Sequence, residues 1–145
     1  AMNAGMEVLK PALAGDATQV KGKAVIGTVK GDLHDIGKNI VKIMFEGKGI
    51  EVIDLGVDVP PEKFVDTAKE REAELICLST LMTTTMPGME EIIHLLEKEG
   101  LRDKVKVMIG GGPVSQNYAD KIGADGYSTT AVEAVKLAKR LLAIA

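Results

Sequence analysis

Short apolar runs of strand length alternate along this chain with segments whose apolar residues recur at helical spacing, and a chain that alternates in this way has few folds open to it. The runs Ala24 to Val29, Glu51 to Leu55, Leu75 to Ser79, Val105 to Ile109 and Asp125 to Tyr127 read as strands 1 to 5. Between and after them lie helical patterns. Ile36, Ile40, Ile43 and Met44 mark a helix over Ile36 to Lys48, closed by Gly47 and Gly49. A second helix opens at Pro60-Pro61, where proline suits a first turn. Others are expected over Pro87 to Lys98, Ser115 to Ile122 and Ala131 to Leu142. Each strand is followed by a helix, so consecutive strands run parallel through right-handed crossovers, with helices on both faces of the sheet. Strand 3 is almost wholly apolar, as a central strand buried on both faces requires. The expected fold is α/β: a doubly wound five-stranded parallel sheet, Rossmann-like or flavodoxin-like.

Residues 1–20 stand outside the alternation. Met2, Met6 and Leu9 fall at helical spacing before Pro11, and a linker containing Gly15 and Asp16 follows. The expectation is a short helical segment with its linker, either private to this chain or the end of an upstream helical domain, joined to a domain over 21–145. The remaining 125 or so residues suffice to bury a core without a disulfide or a metal staple. Composition narrows the function classes. The formal net charge is only -3 and the 18 basic residues are scattered; there is no Trp and only two each of Phe and Tyr for base stacking. A nucleic-acid surface is therefore not expected. No apolar run reaches the roughly 18 residues of a membrane span, and no secretory signal opens the chain. The single cysteine, Cys77, cannot form an intrachain disulfide, which fits a cytoplasmic protein.

Ligands of open parallel sheets bind beyond the carboxyl ends of the strands, so the loops there are where chemistry is sought. After strand 1 comes Gly31-Asp32-Leu33-His34-Asp35-Ile36-Gly37; after strand 3, Ser79-Thr80-Leu81-Met82-Thr83-Thr84-Thr85; after strand 4, Gly110-Gly111-Gly112; after strand 5, Ser128-Thr129-Thr130. His34 taken alone is an ordinary loop histidine. Two residues before it stands Asp32, and a carboxylate there can take one imidazole N–H and aim the other nitrogen at a metal. One histidine is too few for a bare structural zinc, but enough where a macrocycle supplies the other ligands. His94, amid Ile92, Ile93 and Leu95, reads as structural, and Cys77 as a small core hydrophobe. Met82, Met86 and Met89 read as packing residues. The glycine run either forms a tight turn or lets backbone approach a bulky group; it carries neither G-x-G-x-x-G nor the Lys-Ser/Thr of a phosphate loop. The three threonines are suited to capping the next helix, or to satisfying Asp32 or a ligand's polar tail.

These segments carry a resemblance. Asp32-x-His34-x-x-Gly37, then Ser79-x-Leu81, then Gly111-Gly112 resembles the D-x-H-x-x-G…S-x-L…G-G signature of cobalamin-binding domains, over about residues 20–143. The longer stretches Gly31 to Ile40, Val52 to Pro60 and Leu81 to Met86 are similar to the small methyl-carrying corrinoid proteins of methylamine, methanol and methoxyarene methyltransferase systems. The resemblance implies a cobalamin or related cobamide bound with its own base displaced, His34 ligating cobalt from below, and Asp32 hydrogen-bonded to His34. It implies a relay to a hydroxyl at Thr85, where the family often has serine. Ser79, Thr83 and the other residues of the two loops, Leu81, Met82 and Thr84 among them, would line the cofactor site. Gly110, Gly111 and Gly112 would make room for the base of the tail, and Tyr127 and Ser128 would close its far end.

The resemblance also implies a carrier rather than a complete enzyme. Cobalt would take a methyl group in one docking event and surrender it in another, each partner being a methyltransferase, donor-specific or acceptor-specific, with a reductive activation protein as a further partner. An N-terminal helical bundle covers the corrin in such carriers, and residues 1–14 would be its remnant. Two other readings stay open: the cobalamin-binding subunit of an adenosylcobalamin-dependent mutase, and a cofactor-free flavodoxin-like interaction domain. The regulators that share the module carry a DNA-binding segment, and none is visible here.

Overall fold

The computed structural model describes residues 22–142; the helical segment expected over 1–20 lies outside them. Five parallel strands, β1 (Gly22–Thr28), β2 (Ile50–Asp54), β3 (Leu75–Ser79), β4 (Lys106–Gly110) and β5 (Gly126–Ser128), form one sheet in the order β2-β1-β3-β4-β5. The helices are α1 (Ile36–Gly47), α2 (Pro61–Glu70), α3 (Pro87–Lys98), α4 (Gln116–Ile122) and α5 (Ala131–Leu141). All the expected strands and helices of this region form, with no end displaced by more than two residues. Ser115, expected inside α4, caps it instead by accepting the Tyr118 N–H, and Thr130 caps α5 through the Glu133 N–H.

The sheet's alternation of side chains divides the core in two. Val25, Ile76, Leu78, Val107 and Ile109 point to one face, where Phe64 of α2, Met89 and Ile92 of α3 and Ala119 of α4 cover them. Ala24, Ile26, Leu75, Cys77 and Met108 point to the other, covered by Phe45 of α1 and by Ala134, Val135 and Ala138 of α5. α1 meets this second face through Val41 and Phe45, which share one side of the helix; Ile36, Ile40 and Ile43 share the opposite side and are exposed.

Chain order reverses direction across the sheet between β1 and β3. Their registers set Thr28 level with Ser79, and Ser79 level with Gly110. The loops leaving β1, β3 and β4 therefore emerge side by side at one end of the sheet, which is the switch point where doubly wound sheets hold ligands.

Candidate functional site

Asp32 is the centre of the site. It is fully buried, and both its oxygens are engaged twice. Oδ1 accepts the His34 backbone N–H at 2.9 Å and meets His34 Nδ1 at 2.6 Å. Oδ2 accepts the Thr80 hydroxyl at 2.8 Å and the Leu81 N–H at 2.7 Å. Burial by itself pushes this carboxyl upward, but the backbone N–H groups of His34 and Leu81, with the His34 ring and the Thr80 hydroxyl, outweigh it and hold the group far below the usual carboxylate range. Asp32 is thus an anion at neutral pH and can only accept hydrogen bonds. The proton between it and His34 therefore sits on Nδ1, and in the neutral imidazole Nε2 is then the nitrogen with a free lone pair. The loop is braced from behind, since the Thr28 hydroxyl donates to the His34 carbonyl at 2.8 Å.

The hydroxyl on Asp32 differs from the one expected. Thr85, proposed from the resemblance as the third relay member, does not touch the carboxylate. Its Oγ1 contacts Thr80 Oγ1 and donates to the Met82 carbonyl. Thr80, the first residue beyond β3, stands next to the β1 loop and fills the gap between Thr85 and Asp32. The capping role considered for the threonines is also absent: Thr83–Thr85 form a single 3-10 turn, and no side chain caps α3. Thr83 and Thr84 are exposed in that turn, and Thr83, expected in the slot, does not line it.

Below His34 a slot of about 450 Å³ runs between the sheet and the helices α1 and α5. Its floor is Ile26 and Cys77 of the sheet, its sides Val41 of α1 and Ala134 of α5. His34, Gly37, Ser79, Leu81, Gly110, Gly111, Gly112, Tyr127 and Ser128, all expected at the site, line it. Gly31, Asp32, Leu33, Asp35, Ile36, Met82, Thr84 and Thr85 do not; they support the loops or form the rim. Thr129 and Thr130, of the loop after β5, line it as well, and Lys38 and Ala131 line it without having been singled out. Lys38 is buried, with Nζ 2.8 and 2.9 Å from the two oxygens of Asp54, 2.7 Å from Asn39 Oδ1 and 3.1 Å from Asp35 Oδ1. Burial raises the Asp54 carboxyl, but the Lys38 hydrogen bond, the Gly56 N–H and the charges of Lys38 and Lys42 bring it below its ordinary value.

Glycine at 111 answers to the protein first. Its φ is +128°, and a Cβ there would lie 1.7 Å from the Thr80 carbonyl oxygen. Gly112 has ordinary room, with Leu81 Cδ2 at 3.6 Å. Gly111 thus lets the β4 loop rest on the backbone of the residue that holds Asp32. His94 lies mid-α3, as read, yet is exposed near Glu90. Burial pushes the Cys77 thiol up to about 12, so it is a neutral floor residue.

The rim is apolar and exposed: Leu33 is 71% and Ile36 80% accessible, with Leu81 and Met82 exposed beside them. Such side chains around a single oriented imidazole fit a large, partly apolar ligand better than water. Among the described residues no group of three or more His, Cys, Asp or Glu could hold a bare metal ion. One nitrogen donor at the mouth of a long slot does fit a metal already held in a macrocycle that carries a tail.

The model of the B12 binding domain matches residues 22–136. The chain is 56% identical over 144 residues to dimethylamine corrinoid protein 3 of Methanosarcina mazei, covering 99% of this chain and 86% of that protein. The monomethylamine corrinoid protein of Methanosarcina barkeri superposes with a TM-score of 0.80 at 41% identity, over 97% of this chain and 66% of that one. A chain of the methanol:cobalamin methyltransferase complex of the same organism does so with 0.84 at 34% identity, over 98% of this chain and 54% of that one. The fold and the slot are those of a corrinoid-binding domain. The chain belongs to the B12-binding family, and within it to the corrinoid proteins of methyltransferase systems. Its cofactor is accordingly a cobalamin or a related corrinoid. Among the described residues no helix is long and apolar enough to cross a membrane.

Proposed function

We propose that this chain carries a methyl group between two methyltransferases on the cobalt of a corrinoid bound with its own base displaced, His34 Nε2 serving as the lower ligand. The observation that carries this reading is the Asp32 carboxylate, whose four hydrogen bonds keep it ionised and thereby fix the His34 proton on Nδ1. The cofactor supplies the methyl-accepting and methyl-releasing chemistry; the protein supplies ligation, orientation and electrostatics.

Each part of the site has a share in that task. Asp32 orients the imidazole, and Thr80, backed by Thr85, orients Asp32. The slot between α1 and α5 receives the tail, with Ser79 and Ser128 offering hydroxyls along it and Gly110 and Gly112 leaving backbone free for close approach. Leu33, Ile36, Leu81 and Met82 cover one side of the ring system and exclude water from it. Asp35 is engaged with Lys38 and secures the start of α1. The similarity to corrinoid proteins named for dimethylamine and monomethylamine supports a methylamine as the class of donor. The donor's and acceptor's methyltransferases, and a protein that reductively reactivates the cofactor, are the partners on this reading, in the cytoplasm.

A mutase subunit shares the signature, but the strong relatives are corrinoid proteins of methyl transfer. The test is reconstitution with hydroxocobalamin, anaerobic reduction and addition of methyl iodide. The expected result is a protein-bound methylated cofactor whose methyl group passes to a thiol only when a methyltransferase is added. A protein that binds the corrinoid but never takes up the methyl group overturns the carrier reading.

A further inference from the structure

A further loop, from Leu55 to Pro60 between β2 and α2, grips the histidine loop from outside the slot. Asp58 in that loop has φ +53°, a left-handed conformation uncommon for a residue other than glycine. From there it holds two consecutive residues. Its N–H donates to the Asp32 carbonyl at 2.9 Å, and its Oδ1 accepts the Gly31 N–H at 2.7 Å. Gly31 itself has φ +90°, so this stretch of chain depends on an outside partner to keep its direction. Next to it the Val59 N–H donates to the Thr28 carbonyl at 3.0 Å, and Val29 and Val59 form a parallel bridge. Among the described residues Asp58 makes no ion pair. A residue serving only the turn would need left-handed tolerance and nothing more, and its carboxylate would have no call to reach 27 residues back.

We propose that Asp58 is a positioning residue for His34. Its carboxylate fixes the peptide between Lys30 and Gly31 and its N–H fixes that between Asp32 and Leu33, so that the Asp32 carboxylate meets the imidazole in ligating geometry before any cofactor arrives. The inference rests on the reading of His34 as the cobalt ligand. Two substitutions separate the side chain from the backbone. Asp58→Asn keeps an oxygen for the Gly31 N–H and tolerates the left-handed backbone. Asp58→Gly accepts that backbone freely but removes the oxygen.

The experiment compares both variants with the wild type in two states. In cofactor-free protein, 15N spectra of the histidine ring and exchange of the Gly31 amide are recorded; in protein reconstituted with hydroxocobalamin, the affinity is measured. Asp58→Asn is expected to match the wild type throughout. Asp58→Gly is expected to keep its melting temperature, lose the protection of Gly31, shift the His34 ring resonances and bind cobalamin about 3- to 10-fold more weakly, the effect of one hydrogen bond. An Asp58→Gly protein with wild-type ring resonances and amide protection overturns the proposal and leaves Asp58 a turn residue. Should the wild type show no histidine nitrogen on cobalt, the functional reading falls, while the cofactor-free spectra still decide whether the clamp exists.

Discussion

The two faces of the sheet are built from the same kinds of residue and end in different states. On the face under α2, α3 and α4, large side chains such as Phe64, Met89, Ile92 and Leu96 close over the sheet and are fully buried. On the face under α1 and α5, the covering helix α5 offers Ala134 and Ala138 where the first face has aromatic and long aliphatic groups. The second face is therefore closed only at its lower end, by Phe45, Ile50 and Leu137, and its upper end is the slot. One face spends its apolar surface on stability; the other withholds part of it for a ligand. The polar network of Asp32, Thr80 and His34 stands at the mouth of the second face, above the opening and not within the packed core.

Substitutions ordered by size of effect probe this contrast. Gly111→Ala should do the most harm, because the new methyl overlaps the Thr80 carbonyl and φ is already unfavourable. A loss above about 3 kcal/mol in urea unfolding, with no cobalamin bound by the survivors, is expected. Phe64→Ala on the closed face should cost about 3–5 kcal/mol and leave the affinity of the remaining folded protein for cobalamin intact. Val41→Phe on the open face should do the reverse. The ring enters the slot, stability moves by less than about 1.5 kcal/mol, and cobalamin binding is lost in equilibrium dialysis. If Val41→Phe unfolded the protein as Phe64→Ala does, the two faces would not differ as described.

Asp32→Asn places an amide where four donors converge. The expected cost is about 1–3 kcal/mol, with a distinctive pH dependence. The folded pKa of Asp32 lies below its unfolded value, so its contribution is complete above the ordinary carboxylate range and is lost as the pH falls through that range towards the folded pKa. Wild-type stability should drop over that acid interval, and the drop should be shallower in Asp32→Asn. The smallest effect concerns Cys77. Its buried, protonated thiol should react with iodoacetamide far more slowly than a free cysteine at pH 8, and bound corrinoid should slow it further.

What was legible in the sequence follows from the range of the interactions involved. The central strands were legible because burial on two faces leaves nearly continuous apolar runs, and His34 with Asp32 because the two stand two residues apart in one loop. Thr80 was passed over because in Ser79-x-Leu81 it occupies the free position, and its value comes from the β1 loop lying beside it in space. Lys38 was missed because a lysine in a helix is ordinarily read as solvated, and its partner Asp54 lies on a strand 16 residues away. Gly111 was assigned to ligand space, whereas the structure puts the Thr80 backbone against it. In each case the missing information was a contact between segments distant in the sequence, which no local pattern records.

EPR of the cob(II)alamin form in protein labelled with 15N only at histidine decides whether Nε2 of His34, and no other protein nitrogen, ligates cobalt. Each axial hyperfine line should split into a doublet from one 15N in the wild type, and this splitting should disappear in His34→Ala while the fold, judged by circular dichroism, persists. A triplet from unlabelled nitrogen, the cofactor's own base, or a doublet retained in His34→Ala would contradict it.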